Sequence, residues 1–151
     1  MDESEVNNLP RVVLVLRACI LNNSNSILLV KRSKYDRYAA GKWELPGGKL
    51  KMSQDPFQAL YEEVEQETGL EIVVKYDLVY FNGHLNQSSS FYNGAPYVVI
   101  VVACSFTGSK EVELSHEHDE FVWVTPQKAL DMDIKDEDSN AIRSFKAKGI
   151  L

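Results

Sequence analysis

A double glycine that runs into an acidic amphipathic helix is the feature that most constrains this sequence. The helix is predicted to begin after Asp55, an N-cap candidate, with Pro56 at its first position, and to end at Gly69. Gln58 completes a capping-box pattern with Asp55. Four apolar residues follow the i, i+3, i+4, i+7 spacing of one buried face: Phe57, Leu60, Tyr61 and Val64.

Three polar residues fall together on one flank of this predicted helix: Glu63, Gln66 and Glu67. Glu63 and Glu67 are an i, i+4 pair of like charges, which destabilises an isolated helix by roughly 0.2–0.5 kcal/mol. A hard divalent cation such as Mg²⁺ reverses the sign of that interaction because it prefers oxygen ligands. A solvated acidic face is the common alternative. The glycine turn upstream favours a metal ion held against a diphosphate.

The segment resembles the Nudix (MutT-like) signature, in which a glycine, a Glu, an Arg-Glu pair, a Glu-Glu pair and a second glycine have fixed spacing. Gly48 opens the motif and Gly69 closes it in register. Three polar positions differ from the signature. Gln54 replaces the first Glu, Glu62 replaces the Arg, and Gln66 replaces the first member of the Glu-Glu pair. The flanking sequences at 28–32, 43–46 and 117–124 are also similar to the family.

The resemblance implies an α/β (α+β) fold, a Nudix-like α/β/α sandwich with a mixed central sheet, as one domain over residues 1–151. We expect residues 1–10 to be a flexible tail. Runs rich in apolar and β-branched residues predict strands at 11–21, 26–32, 71–81, 96–106, 111–114 and 120–124. A short helix is predicted after Thr125, and a last helix over residues 139–148.

The same resemblance implies a metal-dependent hydrolase that cleaves the diphosphate linkage of a nucleoside diphosphate linked to another group. Mg²⁺ is the expected cofactor, with Mn²⁺ as an alternative. Glu63 and Glu67 are the implied catalytic and metal-binding residues, and Gln66 retains a neutral carbonyl oxygen for the metal. The competing hypothesis is a catalytically silent Nudix-like domain that binds a nucleotide derivative, since Gln54, Glu62 and Gln66 all change the charge of the motif.

Acidic residues in the segment before Phe121 supply a further candidate. Glu117, Asp119 and Glu120 cluster there, and in several Nudix enzymes an acid from this region is a metal ligand or base. Glu120 is our preferred third catalytic residue. The alternative is a polar edge loop with ordinary solvated charges.

Four residues are candidates for substrate binding. The backbone of Gly47 and Gly48 can lie close to a diphosphate because no side chain blocks the approach. Arg32, at the end of a predicted strand, is a candidate phosphate contact, although a solvated strand-end charge is its alternative. Glu44 faces the site in similar proteins, but its position also fits a surface residue.

Composition limits the partners. The formal net charge is −6, from 16 basic and 22 acidic residues, and no basic stripe is apparent. We therefore expect a small-molecule nucleotide-type substrate and no nucleic-acid partner. No apolar run approaches the roughly 18 residues of a membrane helix, and the acidic N-terminus is unlike a signal peptide. A cytoplasmic protein is expected, and the oligomeric state stays open, with a homodimer as one arrangement.

The remaining residue types give weaker predictions. Cys19 and Cys104 lie in apolar runs, which favours two buried free thiols, with a disulfide between strands left open. His116 and His118 are two residues apart, a spacing that could place both on one side of an extended segment to bind a metal. They are interpreted as surface residues instead, since neither a cysteine nor a third histidine is nearby. The segment 82–95 is either a substrate lid, with Phe91 and Tyr92 stacking on a base, or a hairpin tip.

Overall fold

A computed structural model describes residues 1–85 and 91–151 of the chain. The described elements, in chain order, are α1 Glu3–Asn7, β1 Val13–Leu21, β2 Ile27–Arg32, β3 Trp43–Glu44, β4 Gly47–Lys49, α2 Pro56–Thr68, β5 Ile72–His84, a 3₁₀ turn Phe91–Gly94, β6 Tyr97–Phe106, β7 His118–Val124, α3 Pro126–Leu130 and α4 Asp136–Ala147.

The strands form one mixed sheet in the order β3-β2-β1-β6-β5, with β4 paired to β1 and β7 paired to β2. β1 and β6 run parallel, with Val13 opposite Tyr97. The other pairs are antiparallel. The predicted mixed sheet is therefore confirmed.

Helices cover both faces of this sheet because side chains alternate along each strand. On β1, Leu16, Ala18 and Ile20 belong to the apolar cluster that includes Leu60 and Val64 of α2. The intervening residues of β1 face the other layer: Val15 and Cys19 join Ala141, Ile142 and Phe145 of α4. The α/β/α sandwich follows from this two-sided burial, as the sequence predicts.

Helix α2 begins and ends where its local sequence predicts. The Asp55 carboxylate accepts a hydrogen bond from Gln58 N at 2.9 Å, and Gly69 ends the helix with φ of 74°. Only this half of the expected capping box forms, since the Gln58 amide donates to Glu62 at 3.2 Å. Leu60 and Val64 are buried on the face that packs against the sheet.

The predicted strand over residues 111–114 is wrong. This segment pairs with the end of α2 and not with the sheet: Glu113 N donates to Thr68 O at 2.9 Å, and Ser115 N donates to Glu67 O at 3.2 Å. The last carbonyls of a helix have no partner within the helix, and this segment supplies two of them with donors. The segment therefore leads Glu117 towards the acidic flank of α2.

Other element boundaries shift by a few residues. β5 continues to His84, and α4 begins at Asp136 with three acidic residues in its first turn, where the helix dipole favours them. The expected tail contains the short helix α1, whose residues are all exposed. The proposed lid lies partly outside the described residues, since 86–90 and the side chain of Phe91 are not among them.

Both cysteines are buried and free, which confirms the prediction of two free thiols. In the parallel pairing of β1 with β6, Ile20 is the partner of Cys104 and Cys19 is the partner of Ala103. The described part of the chain contains no helix that is long and apolar enough to cross a membrane.

Candidate active site

A cavity of about 570 Å³ brings together most of the predicted site residues. Six of them line it: Arg32, Glu44, Gly47, Gly48, Glu63 and Glu67. The lining is strongly charged although the sequence shows no basic stripe. Its basic residues are Arg17, Arg32, Arg37, Lys49, Lys51 and Lys135, and its acidic residues are Asp36, Glu44, Glu63, Glu67 and Glu117. Such a mixture suits an anionic ligand that is bound together with a cation.

Both residues of the double glycine pack closely against neighbouring atoms. Gly47 has φ of +148°, and a Cβ there would lie 2.0 Å from the carbonyl oxygen of Leu16 on the neighbouring strand β1. A Cβ on Gly48 would lie 2.7 Å from Oε2 of Glu63. The glycine turn therefore lies directly against the carboxylate of Glu63 on helix α2.

Glu67 is anchored beneath this turn. Its side chain is buried, and its Oε2 accepts a hydrogen bond from Gly47 N at 3.0 Å. Burial raises the pKa of Glu67 to about 7, although the charge of Arg17, the nearby His118 and the Gly47 hydrogen bond oppose the shift. In the protein alone, this carboxyl is therefore close to half ionised at neutral pH, and a cation beside it would favour the ionised form.

Glu44 is the centre of a buried charge cluster. Its carboxylate lies 3.3 Å from nitrogens of Arg17, Arg32 and Lys135, and 3.0 Å from Nε2 of His118. Burial acts to raise the pKa of Glu44, but these cations and the His118 hydrogen bond outweigh it and hold the pKa well below its ordinary range. Glu44 is thus a fixed anion that orients the groups around the cavity.

Two members of this cluster, Arg17 and Lys135, were not predicted from the sequence. Arg17 is the one charged residue in the strand β1, and it lies buried between Val15 and Cys19 on the face that packs against α4. A charge inside an otherwise apolar strand is a signal that could have identified it. Lys135 immediately precedes α4, and its sequence context carries no comparable signal.

A β-bulge at the start of β7 gives Glu120 and His118 different environments. Lys31 is the partner of Glu120 and Arg32 is the partner of His118, so Asp119 is the extra residue. A bulge of one residue re-aims the side chains beyond it. Glu120 is consequently exposed and forms an ion pair with Lys31 at 3.2 Å, away from the cavity lining.

The same bulge turns His118 inwards. His118 is buried against Glu44, so its interpretation as a surface residue is wrong, whereas His116 is exposed as expected. Of the three acids that cluster before Phe121, Glu117 is the one that lines the cavity. Gln66 is exposed and is not among the lining residues.

Comparison with known proteins agrees with this geometry. Residues 13–145 match the NUDIX domain family model. The chain belongs to the NUDIX family. This Nudix protein is 28% identical over 130 residues to the CTP pyrophosphohydrolase of Escherichia coli (strain K12). The match covers 86% of this chain and 89% of that relative. A shorter stretch of 51 residues is 37% identical to the 8-oxo-dGTP diphosphatase of the same organism, covering 34% of this chain and 40% of that protein.

A solved structure shows the same architecture over nearly the whole chain. The MutT protein of Methanosarcina mazei Go1 is 26% identical, with a TM-score of 0.75, and the match covers 94% of this chain and 98% of that one. The family and fold predicted from the Gly48–Leu70 motif are both confirmed.

Two altered positions of the Nudix motif, Gln54 and Glu62, form separate hydrogen bonds. Gln54 Oε1 accepts from Lys51 N at 2.9 Å, and Glu62 Oε1 accepts from the Gln58 amide at 3.2 Å. Gln54 and Glu62 therefore have different hydrogen-bond partners. Neither residue lines the cavity.

The donor set fits a divalent cation. Ligand atoms of Glu67, Glu117 and His118 all lie within 4.8 Å of one another. Glu63, one turn before Glu67 on α2, lines the same cavity. Carboxylate oxygens are the ligands that hard divalent cations prefer, and one or two of them suffice when a phosphate supplies the rest.

Proposed function

We propose that this Nudix protein is a metal-dependent hydrolase that cleaves the diphosphate linkage of a nucleoside diphosphate linked to another group. Its relatives include a CTP pyrophosphohydrolase and an 8-oxo-dGTP diphosphatase, and the chain is a Nudix-type pyrophosphohydrolase. The proposal of metal-dependent cleavage at a diphosphate rests on the contact between Gly48 and Glu63. It holds a carboxylate against a side-chain-free turn, where a diphosphate can approach closely.

Glu63, Glu67 and Glu117 are the carboxylates that would hold the cation. A bound divalent cation would supply positive charge to the phosphoryl oxygens and acidify a nearby water. We assign acceptance of the proton from the attacking water to Glu63, which lines the cavity and is half-buried. Glu67 is less suited to that role because it already accepts the Gly47 hydrogen bond. Gln66 and Glu120 were candidates from sequence, and their exposure outside the cavity lining gives them no support.

Phosphate contacts are expected from the lining cations that are not held by Glu44. Among the described residues, Arg37, Lys49 and Lys51 line the cavity and have no carboxylate partner. Arg32, Gly47 and Gly48 stay in the proposed substrate-binding set. Arg32 is held by Glu44, Asp36 and the carbonyl oxygen of Tyr38, so it would contact a phosphate as a fixed cation.

Tyr92 is the proposed base contact. It lines the cavity, is half-buried, and lies 5.7 Å from the Lys49 ammonium, measured to the ring centroid. An aromatic ring beside a cation in the cavity lining suits a nucleotide, whose base stacks on the ring while its phosphates face the charge.

The test is hydrolysis of a panel of nucleoside triphosphates, nucleotide sugars and dinucleotides with Mg²⁺ or Mn²⁺, followed by product chromatography. Cleavage of one class that depends on added metal and stops with chelator supports the proposal. If the folded protein binds a nucleotide of the panel without turning it over, the catalytically silent domain is the correct alternative. The chromatograms also identify which phosphoryl bond is cleaved.

A further inference from the structure

His118 contains a buried nitrogen atom that has no hydrogen-bond partner. The side chain is 3% exposed, and its Nδ1 lacks a partner among the residues that the structure describes. Buried polar atoms are paired in the great majority of cases, since an unpaired one loses its hydration without compensation. Because His118 lines the charged cavity, its unpaired Nδ1 indicates that a missing group satisfies it.

The contact with Glu44 fixes which kind of group this is. Three cationic side chains hold the Glu44 carboxylate as an anion, so in the 3.0 Å contact Nε2 of His118 is the donor. In a neutral imidazole the other nitrogen then carries a lone pair. Nδ1 is therefore an acceptor, and it calls for a proton donor or a cation.

The neighbouring acids favour the cation. A ring nitrogen of His118 and carboxylate oxygens of Glu67 and Glu117 lie within 4.8 Å of one another. A histidine that binds metal through one nitrogen usually donates its other N–H to a carboxylate, which sets the tautomer and the ring orientation. Glu44 and His118 form such an arrangement, and the bulge at Asp119 is what turns the ring towards the cavity.

We propose that Nδ1 of His118 is a nitrogen ligand of the cation, together with Glu67 and Glu117, so that the site selects a transition-metal ion over Mg²⁺. The inference rests on the proposed metal-dependent function. Imidazole is a good ligand for transition metals such as Zn²⁺, whereas Mg²⁺ binds all-oxygen sites.

A pair of glutamine variants tests this assignment. His118→Gln retains an amide N–H that reaches the position of Nε2, and so keeps the hydrogen bond to Glu44, but it has no atom equivalent to Nδ1. His116→Gln is the matched control because His116 is exposed, two residues away, and absent from the cavity lining. Chelator-treated wild type and both variants are titrated with Mn²⁺ and with Mg²⁺ by calorimetry.

We expect the wild type to bind Mn²⁺ more tightly than Mg²⁺, and His118→Gln to lose at least roughly tenfold in Mn²⁺ affinity. Mg²⁺ affinity should change less, and His116→Gln should match the wild type. Equal Mn²⁺ affinity in His118→Gln and wild type would overturn the assignment, as would a wild type that binds neither ion.

Electron spin echo spectroscopy of the Mn²⁺ complex provides a measurement that does not depend on the variant's stability. The wild type should show coupling to a ¹⁴N nucleus, and the absence of this coupling contradicts nitrogen ligation even if His118→Gln fails to fold. Product chromatography separates the two claims. Metal-dependent turnover without ¹⁴N coupling leaves the proposed function standing and removes this inference, and ¹⁴N coupling without turnover does the reverse.

Discussion

The guanidinium of Arg17 and the carboxylate of Glu44 form a buried ion pair, with Nη2 and Oε2 3.3 Å apart. Arg17 also donates to the carbonyl oxygens of Leu45 at 3.2 Å and Gly47 at 3.4 Å. One side chain of strand β1 thus holds the Glu44 cluster and the glycine turn together. Because the pair lies next to apolar residues of the core, the cavity and the stability of the fold depend on it jointly.

Arg17→Met should reduce the free energy of unfolding by about 3 kcal/mol, because it leaves Glu44 buried without its arginine partner. Lys135 and Arg32 keep the loss from being larger. The control is Lys31→Met, which removes the exposed pair with Glu120 and should cost less than about 1 kcal/mol. Urea denaturation measures both losses. Equal losses in the two variants would show that the buried pair contributes no more to the free energy of unfolding than the exposed pair.

Gly48→Ala should lower turnover roughly hundredfold while the protein remains folded, because a displacement near 1 Å at a reacting group has that effect. The added Cβ meets the end of the Glu63 side chain, which can move aside. Gly47→Ala is the contrast, since its Cβ meets the backbone of Leu16 and the φ of +148° is unfavourable for alanine. Turnover and the denaturation midpoint of each variant are measured, and a fully active Gly48→Ala protein would contradict the role given to Glu63.

Asp138 should make the stability depend on pH. Burial raises the pKa of Asp138 in the folded protein to about 6, from an ordinary value of 3.8, against the opposing charges of Arg17 and Lys135. The folded state therefore binds this proton more tightly than the unfolded state. Its ionisation, as the pH rises through about 6, removes stability.

Asp138→Asn keeps an acceptor for the N–H of Leu45, which Asp138 binds at 2.9 Å, but does not titrate. Relative to wild type, the variant should therefore gain about 2 kcal/mol of stability between about pH 4.5 and about pH 8. Asp136→Asn, at an exposed position in the same helical turn, is the control. Denaturation curves at both pH values measure the difference, and a gap between Asp138→Asn and wild type that does not change with pH would refute the prediction.

Both thiols should be inert in the folded protein. Cys19 and Cys104 are buried, and burial raises the pKa of Cys104 to about 12 and that of Cys19 as well. Since the thiolate is the reactive form, a thiol reagent should label neither residue until denaturant is added, after which it should label two. Rapid labelling of either cysteine in the native protein would contradict their burial.

Local sequence carries enough information to predict helix α2 and its end at Gly69. The N-cap, the apolar spacing and the closing glycine all lie within the helix or next to it. The segment 111–114 could not be predicted in this way, because its conformation depends on carbonyl oxygens of Thr68 and Glu67, more than forty residues earlier in the chain.

The site residues likewise fall into those positioned by local sequence and those positioned by long-range strand pairing. Glu63, Glu67 and the double glycine lie in one continuous motif, so their proximity follows from the period of the helix. The bulge at Asp119 depends on the pairing of β7 with β2, and it determines that His118 and Glu117 line the cavity whereas Glu120 does not. Arg17 joins the site through the packing of β1 against β4, which the sequence of neither strand specifies alone.

Two neighbouring glutamates of helix α2 test whether the Glu63 carboxylate takes part in the reaction. Glu63 lines the cavity, and Glu62 is exposed and accepts from Gln58. On the substrate class found in the panel, Glu63→Gln should lose nearly all metal-dependent turnover without loss of stability, and Glu62→Gln should retain the wild-type rate. A Glu63→Gln protein that turns over substrate at the wild-type rate would show that this carboxylate, held against Gly48, is not the group on which catalysis depends.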